Sequence, residues 1–199
     1  MTNPRPMKRA PAALALAVAL LLSACGAGSH PAAAAPCDQA CQDGVALRGL
    51  RTLIKLAYNL TVQGQPVGAQ NKTEDCLPSN GSTGKAHVFG DATSNAAQGS
   101  SFVDLSFDFR GCAYPAAPDP SAEQNFDLTV DGLITEHGTL AVQPSSTSAL
   151  LFHSDAVSIS GTVYDPPIDY AASECVLDLN QDGNRLAGTL CGRSAGFSF

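Results

Sequence analysis

Phe102-Val-Asp-Leu-Ser-Phe-Asp-Phe109 alternates without a break. Val103, Leu105, Phe107 and Phe109 fall on one face, and Asp104, Ser106 and Asp108 fall on the other. A period of two with one apolar and one polar face predicts an antiparallel strand that covers a core on one side and meets water on the other. The same alternation recurs in Phe126-Asp-Leu-Thr-Val130, Leu140-Ala-Val142, Ala149-Leu-Leu-Phe152 and Val157-Ser-Ile-Ser-Gly-Thr-Val-Tyr164. It closes in a hairpin, Cys175 to Cys191, and Gly, Pro, Ser and Asp cluster between the segments. Short strands with regular turn signals predict a mainly β domain: an antiparallel meander forming a sandwich, a barrel or a curved sheet. The stretch 37–199 reads as a single domain, with no repeat and no second unit.

One segment has a different period. Between Val45 and about Asn59, the residues Leu47, Leu50, Ile54 and Ala57 recur at helical spacing, with Leu53 and Tyr58 beside them. Asp43 is the expected N-cap of this helix. Gly44 and Gly49 each lower its intrinsic propensity by about 1 kcal/mol, so packing must hold it, and a place against the sheet is expected. Arg48, Arg51 and Lys55 share one of its faces at i, i+3 and i+7, which reads as a solvated basic stripe.

Seven cysteines are present. Cys25 is set apart by its position, which leaves Cys37, Cys41, Cys76, Cys112, Cys175 and Cys191. An even count in an exported chain predicts three disulfides. In the closing hairpin, a three-residue loop Asp182-Gly183-Asn184 pairs Gln181 with Arg185 and brings Cys175 opposite Cys191. A two-residue turn would shift this register by one. Cys76 and Cys112 bracket two strands expected to be neighbours, the run around Ala86 to Phe89 and Phe102 to Phe109, so they form the second pair. Cys37 and Cys41 remain, and a C-x3-C bridge requires the helix to begin after them.

The N-terminus is a targeting segment. Arg5, Lys8 and Arg9 precede an apolar run of 13 residues from Ala10 to Leu22, too short for the ~20 residues of a membrane-spanning helix. Leu22-Ser23-Ala24-Cys25 follows and resembles the lipobox of bacterial lipoproteins. The resemblance implies a signal peptide over 1–24, cleavage before Cys25 and a lipid on its sulfur that ties the chain to a membrane. It also implies an outer-membrane address in the cell envelope, periplasmic or surface-facing, because Gly26 stands where an Asp would favour retention in the inner membrane. Residues 25–36 are then the lipidated cysteine and a flexible tether of Gly, Ala, Ser and Pro.

Without Arg5, Lys8 and Arg9 the eleven basic residues fall to eight, and the charge becomes 8 − 18 = −10. So acidic a chain is not expected to hold nucleic acid, which demands clustered Lys and Arg.

The catalytic signals are sparse. Asp178, Asn180 and Asp182 occupy the first three oxygen positions of a calcium loop, but Thr189 stands where the bidentate carboxylate belongs, so the segment reads as a turn. Ser82-Thr-Gly-Lys85 spells the S-x-x-K of serine β-lactamases without the partner motifs S-D-N and K-T-G. Glu136, His137, His153 and Asp155 read as exposed polar residues on strands. Gly196-Phe-Ser-Phe199 reads as an edge strand of the domain. The sequence therefore predicts no cofactor and no enzyme, but a membrane-anchored envelope lipoprotein with a structural or protein-interaction role. The alternatives are a carrier of an apolar ligand or lipid in a curved-sheet pocket and, less favoured, an enzyme of unknown class.

Overall fold

A computed structural model describes residues 37–76, 84–116, 118–143 and 147–199. Cys25, the leader and the tether lie outside these residues, as does Ser82 of the S-x-x-K motif. The described residues belong to one compact unit, Pro36–Phe199. It opens with helix α1, Gln39–Thr61. Eight strands follow: β1 (Gly68–Asp75), β2 (Lys85–Asn95), β3 (Ser100–Pro115), β4 (Phe126–Ala141), β5 (Ala149–Val163), β6 (Ile168–Asp182), β7 (Arg185–Leu190) and β8 (Arg193–Ser198). They form one open antiparallel sheet in chain order, so β1 and β8 are its edges. The expected mainly β fold with one N-terminal helix is what the chain adopts, in its curved-sheet form.

The alternation in β3 does what the sequence requires of it. Val103, Leu105, Phe107 and Phe109 are buried, while Asp104, Ser106 and Asp108 lie on the outer face. Four strands are 15 or 16 residues long, not short. Two pairs of segments that read as separate strands are single ones: Phe126–Val130 joins Leu140 within β4, and Ala149–Phe152 joins Val157 within β5. Bulges explain the misreading. The β4–β5 register shifts between Asp131 and Thr135, and the β5–β6 register shifts between Ser154 and Val157. Each shift resets the phase of the alternation, so one bent strand looks like two. Gly132 sits in the first bulge at φ +120°, where a Cβ would lie 2.6 Å from the Ala156 carbonyl oxygen. β1, polar along both faces, carries no periodic signal at all.

The helix sits inside the curl of the sheet. Five consecutive residues, Asp43 to Leu47, are buried, more than the 3.6 residues of one turn. No flat surface can cover every side of a helix. The contacts show how the sheet does so. Gly44 lies beside Gly196 of β8, and Gly49 beside Phe126 and Leu128 of β4, where a Cβ would meet Leu128 Cδ1 at 2.6 Å. The two glycines that weaken the helix are therefore what lets these strands approach it. Leu47, Leu50 and Ile54 pack with Phe107, Phe109, Phe152 and Leu186 in one continuous core.

Two features of the helix start depart from expectation. The N-cap is Asp38, whose carboxylate accepts the Cys41 N–H at 2.9 Å. Cys41 thus lies within the first turn, and its bridge to Cys37 spans the cap rather than preceding the helix. This is possible because Asp38 is extended, with ψ −179°, which places Cys37 outside the helical path. Asp43 is no cap. It is fully buried and accepts hydrogen bonds from Gln39 Nε2 (3.0 Å), Tyr170 Oη (2.8 Å) and both ends of the Arg193 guanidinium (2.8 and 2.9 Å). This carboxylate ties α1 to β6 and to the start of β8. Burial alone would raise its pKa, but the hydrogen bonds from Arg193, Tyr170 and Gln39 outweigh burial and hold it below the usual range.

All three cysteine pairs form as expected: Cys37 with Cys41, Cys76 with Cys112, and Cys175 with Cys191. Three disulfides in a small body point to an oxidising compartment outside the cytoplasm. The hairpin register, however, is shifted by one. Asp182 pairs with Arg185 and Gln181 with Leu186, because the loop is the two-residue Gly183-Asn184. Gly183 takes φ +57°, at the loop position where a type II′ turn needs glycine. Cys191 then falls in the next turn, at φ +52°, and its Sγ reaches Cys175 diagonally, with a Cα–Cα distance of 4.6 Å.

No described helix is long and apolar enough to cross a membrane. On the length of β3 to β6, the strands could span one. Their outward face is mixed: Asp104, Ser106 and Asp108 stand beside the exposed Phe102, Leu133, Leu151 and Val176, one on each of the four strands.

Candidate functional site

Toward its C-terminal end α1 emerges from the curl, and Lys55, Asn59 and Leu60 are exposed. A cleft of about 490 Å³ opens here between the helix, the far ends of β4 and β6, and β8. The helix supplies Arg48, Arg51, Thr52, Lys55 and Tyr58, and the sheet supplies Glu136, Leu140 and Gln181. Phe197 and Phe199 form its aromatic wall.

The basic stripe therefore faces a cleft, which corrects the expectation of a solvated helix face. The spacing i, i+3, i+7 placed the three cations on one side correctly. What it could not show is that the curl brings β4 and β8 up to that side. Arg51 donates from Nε to Gln181 Oε1 at 2.9 Å, and its guanidinium lies 5.4 Å from the Phe152 ring centre. Arg48 lies 4.6 Å over the Phe197 ring. Burial lowers the pKa of both arginines. Among the described residues, Arg48, Arg51 and Lys55 make no ion pair within 4 Å, whereas Lys72, Lys85, Arg110 and Arg193 each pair with a carboxylate.

Glu136 departs furthest from its reading. It was expected on the surface beside His137, yet it is 2 % exposed and points to the inner face of β4. Its Oε2 has no hydrogen-bond partner, and neither does the buried Nε of Arg48. Burial pushes its pKa up to about 7, against the pull of Arg51. The signal was available in principle. In β4 the pattern Ile134-x-Glu136 puts the glutamate in phase with a buried isoleucine, but the bulge at Asp131 to Thr135 hides which phase faces inward.

The remaining candidates are scattered over the outer face. His137 packs edge-on to Phe102 and lies 3.6 Å from Asp104. His153 bonds to Asp178 at 2.6 Å and to Asp155 at 3.2 Å, and these hydrogen bonds raise its pKa, that of Asp178 foremost. Asp178, Asn180 and Asp182 stand at alternate positions of one straight strand, about 6.6 Å apart in steps of two, and do not converge as calcium ligands do. Lys85 is held by Asp75 at the β1–β2 end. In the cleft itself, two of the hydroxyls are engaged with the backbone. Thr52 donates to the Arg48 carbonyl at 2.9 Å, and Ser148 Oγ accepts the Ala141 N–H at 3.0 Å.

No protein-family model, curated protein or solved structure matches the chain.

Proposed function

We propose that this chain is a non-catalytic binding protein of the cell envelope, tethered by lipid on Cys25 to the outer membrane, whose working surface is the cleft between α1 and the ends of β4, β6 and β8. One observation carries the binding role: Glu136 and Arg48 both line the same solvent-open cleft, and each holds just beneath its surface a buried polar atom, Oε2 and Nε, that lacks a partner. Native proteins pair nearly all such atoms, because an unmade buried hydrogen bond costs about 1–3 kcal/mol. Unmade bonds at an open cleft are the expected condition of a site that a ligand completes.

The non-catalytic reading is supported by Thr52 and Ser148, whose hydroxyls face backbone groups and not the carboxyl of Glu136. An enclosed lipid pocket is a weaker reading than the cleft. The space among Leu47, Leu50, Ile54, Phe152, Leu179 and Leu186 has no room even for water, since the helix and the core side chains fill the curl. The tether rests on Leu22-Ser23-Ala24-Cys25, and the two or three acyl chains of a lipoprotein end make a stable anchor.

The test is a native mass spectrum of the lipidated chain, extracted with mild detergent from the envelope fraction that holds it. An added small-molecule mass that disappears under denaturing conditions, and is absent from a Glu136→Trp variant of native fold, is expected. A bare mass under gentle conditions would overturn the binding role. Normal processing with firm membrane attachment of Cys25→Ser would overturn the anchor.

A further inference from the structure

We propose that the cleft takes a small amphiphilic anion, a carboxylate or phosphate monoester on an apolar body, with its head between Arg48, Arg51 and Lys55 and its body against Phe197, Phe199 and Leu140. The inference rests on the binding role above and specifies its ligand.

The charge distribution of the molecule is the first ground. Outside the leader the chain carries eight basic and eighteen acidic residues. Four of the eight bases are neutralised by carboxylates, and three of the others converge on this cleft without an ion-pair partner. In an acidic protein, unpaired cations gathered in one place are a local reversal of sign. Two of them are partly dehydrated, against Phe197 and Phe152, with only neutral neighbours within bonding reach. A desolvated guanidinium facing rings and an amide gains most from an anionic oxygen, whose hydrogen bonds are charge-assisted and strong. Arg48 Nε, buried beneath the cleft surface, has no partner.

Shape is the second ground. The cations lie along one face of α1, and the rings of Phe197 and Phe199 meet edge to face at 5.0 Å, with Leu140 on the cleft wall. Phe199 is 56 % exposed. An inorganic anion would satisfy the arginines and leave this apolar wall in water. A molecule with both a charged head and an apolar body covers both.

Glu136 is the third, because a lone carboxylate beside an anion site must be reconciled with it. Dehydrated and near neutrality, it can hold a proton and donate it to a ligand oxygen, so that its second oxygen is bonded and the two acidic groups share one hydrogen. Arg51 and Tyr58, the charged and titratable groups that its charge influences, both come from α1.

Calorimetric titration of the Cys25→Ser chain with eight-carbon probes below their micelle concentrations tests this. Octanoate and octyl phosphate are expected to bind, and whichever is tighter identifies the head. Acetate and inorganic phosphate should bind at least about tenfold more weakly, for lack of the apolar body. Lys55→Glu, at an exposed position, should weaken octanoate about tenfold. Glu136→Gln should tighten it at pH 8. Octyltrimethylammonium binding as tightly as octanoate would overturn the assignment, since Glu136 would then be the recognising charge, while the binding role would stand. Equal binding of octanol would overturn it too. Silence from every probe, together with a bare native mass, is the failure of the binding role itself.

Discussion

Among the described residues two carboxylates are buried, and their surroundings are opposite. Asp43, 0 % exposed, accepts bonds from Gln39, Tyr170 and Arg193 and sits with a lowered pKa. Glu136, 2 % exposed, leaves an oxygen unbonded and is pushed up to about 7. Asp43 belongs to α1 and Glu136 lies on β4 beside the cleft that α1 lines, and each is buried by the same curl of the sheet. The difference separates what holds the fold from what the fold holds open. A saturated buried charge fixes the helix to two strands, and an unsaturated one costs stability that only a ligand can return.

The sharpest way to break the comparison is to unpair Asp43. Arg193→Met leaves its carboxylate buried with no cation. Removing one member of a buried pair costs 3–5 kcal/mol, and the effect should fall at the low end, about 3 kcal/mol, because water reaches the Arg193 side chain. That side chain is 42 % exposed. The pH dependence should also weaken. In the native protein Asp43 contributes stability above its ordinary pKa of 3.8, and this is lost as pH falls through its lowered value. Without Arg193 only Tyr170 and Gln39 oppose burial, so the pKa should move up from its lowered value and the stability lost on acidification should shrink. Urea unfolding from pH 3 to 8 measures both. A variant with native stability and the native acid limb would show that Asp43 is not the hub described.

Glu136 should behave in the opposite sense. Its pKa is raised from 4.5 to about 7, so the folded state holds the proton more tightly than the unfolded one. Its contribution is full below pH 4.5 and is lost as pH rises through 7, a difference of about 3 kcal/mol. Glu136→Gln removes the charge but leaves an amide to be satisfied, so it should stabilise the apo protein by about 2 kcal/mol at pH 8 and have little effect at pH 4. A Glu136→Gln profile that parallels the native one at every pH would mean that the carboxyl is not held in its high-pKa state.

This contrast was only half legible in the sequence. Alternation in Phe102 to Phe109 and in Val157 to Tyr164 is a local property, and it led to the right class of fold. The cysteine pairs followed from the strand order, even though Gly183-Asn184 turns more tightly than the expected three-residue loop and moves the register by one. The two carboxylates were misplaced because their roles depend on residues far away in the chain. Asp43 meets Arg193 across 150 positions, and Arg51 meets Gln181 across 130. Three unpaired cations on one helix face look the same whether water or a second wall lies beyond them. Bulges added to this, since a strand that shifts phase midway hides which of its residues turn inward.

The smallest expected effect tests which aspartate caps the helix. By sequence alone, Asp43 was the cap, and its loss would then resemble that of any exposed capping residue. In the structure the cap is Asp38, exposed and bonded to the Cys41 N–H. Asp38→Ala should therefore lower stability by about 1 kcal/mol, the usual worth of a capping side chain. The Cys37–Cys41 bridge closes the same turn and holds Cys41 near the cap whether or not Asp38 is present. The cost should therefore grow when both cysteines are replaced by serine, because an open turn frays once its cap is lost. A double-mutant cycle reads this coupling directly. Asp38→Ala should also leave the pH profiles of Asp43 and Glu136 unmoved, since it touches neither. A cost as large as that of Arg193→Met, or a shift in either profile, would show that the start of α1 is not the independent local structure its geometry implies.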